Sequence, residues 1–304
     1  MMWVVAIAAV ITVLYTWYKS DGVKLQINRE ISQAIFKKMW PTALGVIFNA
    51  FYLQGDRVIL PLYVPAAEVG FYGAAYRVLD IISQIAFLTM VIILPLLAHS
   101  FSRWLKEEFK KYFQLGFDLL LVILLPITIG TIVLSTPIMR LIAGEEFTLA
   151  GKILAYLAIS SFGVCLGMIF GQTAMAIDKQ KTAMWVYGTN AILSVIGYFV
   201  FIPMYCIYGA AGVTIFSEFY AGIGLYLICK RHAQTRLNLK NAGKIILSGA
   251  VMGLALLALQ PLNIFLSILL GIVIYSLLAL FLKIVSPDTL EEIFSRKIVQ
   301  NPKI

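Results

Sequence analysis

Charged side chains lie inside long apolar stretches of this 304-residue chain, where few other polar groups occur. They are Asp56, Arg57, Arg77, Asp80, Asp118 and Glu218. If these stretches cross a bilayer, each charge costs about 2.5–3.5 kcal/mol to insert and needs a specific reason to be there. A guanidinium binds phosphate oxygens in pairs, and a carboxylate binds a proton or a cation. The two arginines are therefore candidates for binding an anionic substrate. The four acids are candidates for ion coupling or for structural ion pairs.

Uncharged polar residues share helix faces with these charges. Three sets have the i, i+3, i+7 spacing of one helix face: Arg77, Asp80 and Gln84; Asn49, Tyr52 and Asp56; and Tyr187, Asn190 and Ser194. Three polar stripes on separate apolar segments predict a shared hydrated cavity. Asn49 and Gln84 therefore join the two arginines as candidate substrate-binding residues.

A packing role for the same residues is the alternative, because interhelical hydrogen bonds and ion pairs commonly hold membrane helices together. Asp56 and Arg77 lie about 10 and 9 Å from the same end of neighbouring segments, at a rise of about 1.5 Å per residue. At this depth either Asp56 or Arg57 can lie level with Arg77 and Asp80, and the packing alternative includes an ion pair between Asp56 and Arg77. Counted together, two arginines against four acids make a poor anion site unless some acids are protonated or further cations come from elsewhere.

The elements that position these residues follow from composition. The chain has 61% hydrophobic and 13% charged residues and a mean hydropathy of +0.91, whereas soluble proteins have about 25% charged residues. This excludes soluble enzymes, nucleic-acid-binding modules and disordered tails. Nine apolar segments have the length of membrane spans. They are residues 1–18, 39–63, 71–100, 113–135, 151–177, 183–203, 208–229, 244–259 and 263–285. The predicted fold class is all-α, a polytopic membrane helix bundle of about nine spans.

Basic residues sort the connections into two sets. Most of the 24 lysine and arginine residues lie in every second connection or in the C-terminal tail. Because basic loops stay in the cytoplasm, the net charge of +9 indicates topology and predicts no nucleic-acid partner. The C-terminus is then cytoplasmic. Nine spans place Met1 outside, which suggests that earlier spans are missing.

Other chemistry has little support in the sequence. Cys165, Cys206 and Cys229 do not form a disulfide framework, and no Cys/His cluster or Walker A pattern occurs, so no metal or cofactor is predicted. A membrane polymerase or glycosyltransferase would need a large catalytic loop. The longest outer connection, residues 136–150, carries only Glu145 and Glu146 as acids, so the chain is not predicted to be an enzyme.

Short motifs add a resemblance. They are residues 41–44 (PTAL), 55–60 (GDRVIL), 69–77 (VGFYGAAYR), 94–95 (LP), 141–147 (LIAGEEF) and 208–212 (YGAAG). Between residues 36 and 231 the chain resembles the polysaccharide transporter (O-antigen flippase) family of the multidrug/oligosaccharidyl-lipid/polysaccharide exporter superfamily. The motifs at 55–60 and 69–77 are the more specific ones.

The resemblance implies two six-helix lobes around a central cavity and twelve or fourteen spans. It implies alternating-access flipping of an undecaprenyl-pyrophosphate-linked oligosaccharide across the cytoplasmic membrane of a prokaryote, for lipopolysaccharide or capsule synthesis. The partners would be this substrate, membrane lipids and a separate first-lobe polypeptide or a glycan polymerase. A cation-coupled multidrug exporter of the same architecture is the alternative.

The same resemblance divides the chain. Residues 1–19 would be the last span of a missing first lobe, and 20–38 the cytoplasmic inter-lobe linker. Residues 39–231 would form the six-helix second lobe, 232–285 two additional spans, and 286–304 a cytoplasmic tail.

Overall fold

The structure, a computed structural model, describes residues 2–19, 28–233, 235, 237–259 and 262–284. Nine α-helices occur in this part of the chain: α1 (Met2–Lys19), α2 (Arg29–Ile59), α3 (Ala66–Ser102), α4 (Lys106–Val133), α5 (Ser135–Ala143), α6 (Ala150–Ala176), α7 (Gln180–Ala233), α8 (Lys240–Ala258) and α9 (Ile264–Phe281). No β-strand occurs among these residues, so the predicted all-α class is confirmed. The predicted tail at 286–304 lies outside the described residues.

Within the described ranges, six helices are long and apolar enough to cross a membrane, as expected of a multi-pass membrane protein. The longest, α7, has 54 residues and is interrupted at Cys206, whose φ of 52° is not helical. It therefore supplies two of the predicted segments. Helices α1 and α2 occupy the first two predicted segments, so helical structure underlies all nine.

The chain divides into two compact units, Met1–Trp40 and Pro41–Ile304. The first contains α1 and the start of α2. Helix α2 begins about ten residues before the predicted span, and the Asn28 side chain caps it by accepting the Glu30 N–H at 2.9 Å. The second part of the predicted linker is therefore helical, while residues 20–27 lie outside the described part.

Close helix contacts build the core of the second unit. Aromatic and aliphatic side chains of α3, α4, α6 and α7 form its largest cluster, with Phe113 and Phe170 almost fully buried. Helix α6 reaches α7 at Gly163, where an added Cβ would lie 2.6 Å from the Glu218 Cβ. Small residues therefore let the backbones of α6 and α7 approach each other.

Helices α8 and α9 pack on α4. Gly249 of α8 faces the side chains of Leu125 and Ile129. In α9, the Tyr275 hydroxyl donates to the Val122 carbonyl at 3.0 Å. Ile138 of α5 also packs against the cluster that Met252, Leu256 and Tyr275 form, so α8 and α9 contact both α4 and α5.

Candidate functional site

A short turn brings the charged part of α2 beside the charged part of α3. Helix α2 ends at Ile59, a 3-10 turn over Leu60–Leu62 follows, and Pro65 precedes α3. Because this turn reverses the chain within a few residues, Asp56 and Arg57 face the second to fourth helical turns of α3.

Arg57 is held between a carboxylate and an aromatic ring of α3. Its Nη2 atom donates to both Asp80 carboxylate oxygens, at 2.9 and 3.1 Å. Its guanidinium carbon lies 4.0 Å from the centroid of the Tyr76 ring, which is a cation–π contact. The Tyr76 hydroxyl donates to the Leu53 carbonyl at 3.2 Å, so the ring is itself fixed to α2. The Arg57 Nε atom is buried without a partner.

Arg77 and Gln84 lie on the same exposed face of α3 as Asp80. Among the described residues, none forms an ion pair or hydrogen bond with the Arg77 side chain. Asn49 is half-buried in α2, and its Oδ1 atom has no partner. The structure therefore brings Arg57, Arg77 and Gln84 to one side of the unit, around Asp80.

Asp56 points the other way, into the interior between α2, α3 and α7. It is fully buried and accepts hydrogen bonds from the Tyr72 hydroxyl at 2.6 Å, the Thr214 hydroxyl at 3.3 Å and the Arg57 backbone N–H at 2.7 Å. The Asp56–Arg77 ion pair that the packing alternative included is therefore not formed, and Arg57 pairs with Asp80 instead. Successive residues of a helix point about 100° apart, so residue 57, and not residue 56, faces the exposed side of α3.

Glu218 is the second buried acid, 4% exposed, on the part of α7 that follows Cys206. It lies one helical turn after Thr214 and within electrostatic range of Asp56. Asn190 donates to the Ser217 carbonyl at 3.0 Å, while its own Oδ1 atom and the Ser194 hydroxyl are buried without partners. The predicted stripe on residues 187–194 thus faces the protein interior and not the arginine face.

Asp118 lies apart from both groups. It accepts a hydrogen bond from the Gln114 side chain at 2.9 Å and one from Asn241 of α8 at 2.9 Å. Gln114 also exchanges two hydrogen bonds with the backbone of Asn238. These contacts fasten the start of α8 to α4.

The charge balance of the exposed face differs from the count of two arginines and four acids in the apolar segments of the sequence. Two of the four acids, Asp56 and Glu218, are buried in the interior, and Asp118 is tied to α8. The middle of the exposed face carries Arg57 and Arg77 against Asp80 alone. This face is therefore net positive, and the objection that acids outnumber arginines does not apply to it.

Sequence reasoning missed Tyr72, Tyr76 and Thr214, which fix the positions of Asp56 and Arg57. Tyr72 and Tyr76 are four residues apart on α3 and share a face with Leu79 toward the core. That spacing could have indicated two buried tyrosines. Because buried tyrosine hydroxyls usually find a hydrogen-bond partner, it could also have pointed to a polar group nearby.

Comparison with known proteins identifies relatives. A profile of the family described as "Polysaccharide biosynthesis protein" matches residues 1–152, half of the chain. A probable low-salt glycan biosynthesis flippase, Agl15, from Haloferax volcanii is 23% identical over 186 residues, which are 61% of this chain and 39% of the relative.

Two solved structures share the fold. One is the lipid II flippase MurJ in an inward closed conformation, with a TM-score of 0.71 and 18% identity over 86% of this chain. The other is a multidrug resistance MATE family transporter of the MOP superfamily in an outward-facing conformation, with a TM-score of 0.57 and 18% identity over 73% of this chain. The chain spans 57% and 53% of their lengths.

The family match, the flippase relative and the shared fold agree with the motifs at 55–60 and 69–77. The chain belongs to the polysaccharide biosynthesis protein family.

Proposed function

We propose that this chain takes part in flipping a lipid-linked oligosaccharide across the cytoplasmic membrane for surface polysaccharide synthesis. The observation that carries the proposal is the exposed, net positive face of Arg57, in the last turn of α2, with Arg77 and Asp80, in the first half of the apolar α3. Charged groups at this depth must face water or protein rather than lipid tails. The face therefore lines an aqueous passage.

The arginines would contact the most strongly charged part of the substrate. For an undecaprenyl-pyrophosphate carrier, the lipid tail would stay in the bilayer while Arg57 and Arg77 bind pyrophosphate oxygens. Gln84 would hydrogen-bond to sugar hydroxyls, because an amide supplies both donors and acceptors. Asn49 shares a helix face with the buried Asp56 and lines a cleft with Tyr187, so it is not part of this contact.

Alternating access of this kind needs two lobes that rock against each other. Residues 39–231 would be one of them, and the partner lobe would lie on the same or a separate polypeptide. Residues 1–19 would be the last span of that partner lobe, 20–38 the cytoplasmic linker, 232–285 two additional spans and 286–304 a cytoplasmic tail.

The buried acids would couple the binding of a proton or cation to transport of the substrate. Asp56 joins α2 to α3 and α7 through the hydroxyls of Tyr72 and Thr214, and Glu218 lies close by without a basic partner among the described residues. Binding of a proton or cation there would change how α2 packs on α7. That change would move the arginine face, since Arg57 directly follows Asp56.

Glycan display on cells tests the proposal. Cells whose only copy of the protein carries Arg77→Ala should display at least about tenfold less surface glycan at unchanged protein level, because a desolvated charged contact is worth more than about 1.4 kcal/mol. Arg140→Ala is the matched control, since Arg140 pairs with Glu145 away from this face. Full display by Arg77→Ala would rule out its role in binding.

Transport of cationic drugs is the competing function. The shared fold with a MATE transporter favours it, whereas a net positive face repels cations. Everted vesicles should therefore show no uptake of a fluorescent cationic dye above that of vesicles lacking the protein. Uptake that Asp80→Asn abolishes would support the drug exporter instead.

A further inference from the structure

The two arginines of the exposed face are in different states. Arg57 is engaged by Asp80 and Tyr76, while Arg77 carries no ion pair with any described residue. We propose, resting on the proposed function, that Asp80 is a displaceable stand-in for the pyrophosphate. It occupies Arg57 until phosphate oxygens replace it, and so sets how tightly the passage binds anions.

The geometry of the pair resembles that of a phosphate contact. Both carboxylate oxygens of Asp80 lie within hydrogen-bond distance of the Arg57 Nη2 atom, at 2.9 and 3.1 Å. These contacts use only Nη2: Nε is buried without a partner, and Nη1 forms no hydrogen bond with a described residue. A guanidinium carries five N–H donors, so an anion with more oxygens can form more hydrogen bonds than Asp80 does.

The pair is also placed where it can open. The Asp80 and Arg57 side chains are 55% and 36% exposed. Water competes for both partners at such exposure, so the pair contributes little to stability. A pyrophosphate carries more negative charge than one carboxylate, so its electrostatic attraction to Arg57 at the same distance is stronger.

Arg57 would keep its position when Asp80 leaves. The Tyr76 ring under the guanidinium is 4% exposed, and its hydroxyl is bonded to the Leu53 carbonyl one turn before Arg57. This contact does not depend on Asp80. The arginine is therefore preorganised for the incoming anion, which lowers the cost of ordering it on binding.

Asp80 also affects Arg77, which lies three residues earlier on the same face of α3. Its charge lowers the attraction of the whole face for weakly charged anions. Only an anion that can engage both arginines would displace it. Asp80 is thus a specificity-determining residue.

Binding of inorganic pyrophosphate to the purified full chain in detergent tests the inference, with melting temperatures recorded for every variant. Asp80→Asn should bind about fivefold more tightly than the unmodified protein, because the pair it removes is worth up to about that factor. Glu146→Gln removes the same charge from an exposed acid elsewhere and should leave the affinity unchanged. In Arg57→Gln, adding Asp80→Asn should give far less than this fivefold gain.

The outcomes separate this inference from the proposed function. Weaker or unchanged binding by Asp80→Asn, while Arg77→Ala binds more weakly than the unmodified protein, overturns the stand-in role alone. If pyrophosphate binds none of the proteins, both the stand-in role and the anion-binding face are wrong. If Asp80→Asn melts well below the unmodified protein, Asp80→Ser replaces it under the same criteria.

Discussion

Substitution of Gly163 tests the packing that holds Glu218 in the interior. An alanine Cβ there would lie 2.6 Å from the Glu218 Cβ, 2.7 Å from its carbonyl carbon and 2.8 Å from the Phe219 nitrogen. Two of these atoms are backbone, so α6 and α7 must separate. Such overpacking costs up to about 3 kcal/mol, and the gain in helix propensity from glycine to alanine offsets about 1 kcal/mol. Gly163→Ala should therefore lower the free energy of unfolding by about 2 kcal/mol.

Gly167 offers a matched control on the same helix, because nothing lies within 4 Å of its added Cβ. Gly167→Ala keeps the propensity gain, so the two variants should differ by about 3 kcal/mol, which corresponds to roughly 5 °C in melting temperature for a chain of 304 residues.

A thiol-reactive fluorogenic dye can follow the unfolding of both glycine variants. Cys165 and Cys229 are buried and become reactive on unfolding, and Cys206→Ser removes the exposed thiol. Equal melting temperatures for the two variants would refute the close contact of α6 with α7.

Two further substitutions probe the hydrogen bonds of the buried acids. Tyr72→Phe removes the donor 2.6 Å from Asp56 and should cost about 1.5–3 kcal/mol in the same melting assay, whereas the exposed Tyr156→Phe should change stability by less than about 0.5 kcal/mol. A similar loss of stability in both variants would refute the hydrogen bond from Tyr72 to Asp56. Asp118→Ala leaves the Asn241 amide without its acceptor and should speed hydrogen exchange in α8 but not in α6. Equal acceleration in both helices would contradict a local fastening role.

The sequence predicted where the helices lie because a bilayer demands apolar runs of a fixed length. It did not predict that α2 begins at Arg29, because a helix can continue into polar surroundings where hydropathy gives no signal. It also placed a connection at residues 204–207, where the structure has one non-helical residue, Cys206. Gly209 permits this sharp turn, since an added Cβ would meet the Phe201 carbonyl.

The sequence predicted how far along their helices the site residues lie, but not which way their side chains point. Residues 56 and 57 of α2 match residues 77 and 80 of α3 in depth, so the rise per residue could not choose between their pairings. The choice depends on Tyr72 and Tyr76, which draw Asp56 inward and hold Arg57 outward. The partner of Asp118 was even less predictable from the sequence. Asn241 is more than a hundred residues away, and no local pattern connects the two.

The central claim is that the face of Arg57, Arg77 and Gln84 lines water and not lipid. Labelling of a single cysteine by a charged, membrane-impermeant thiol reagent in intact membranes tests it directly, on a background without the native cysteines. Gln84→Cys, at the middle of α3, should be labelled, and Ile272→Cys, exposed at the middle of the apolar α9, should not. If Gln84→Cys resists the reagent as fully as Ile272→Cys does, from either side of the membrane, the passage does not exist.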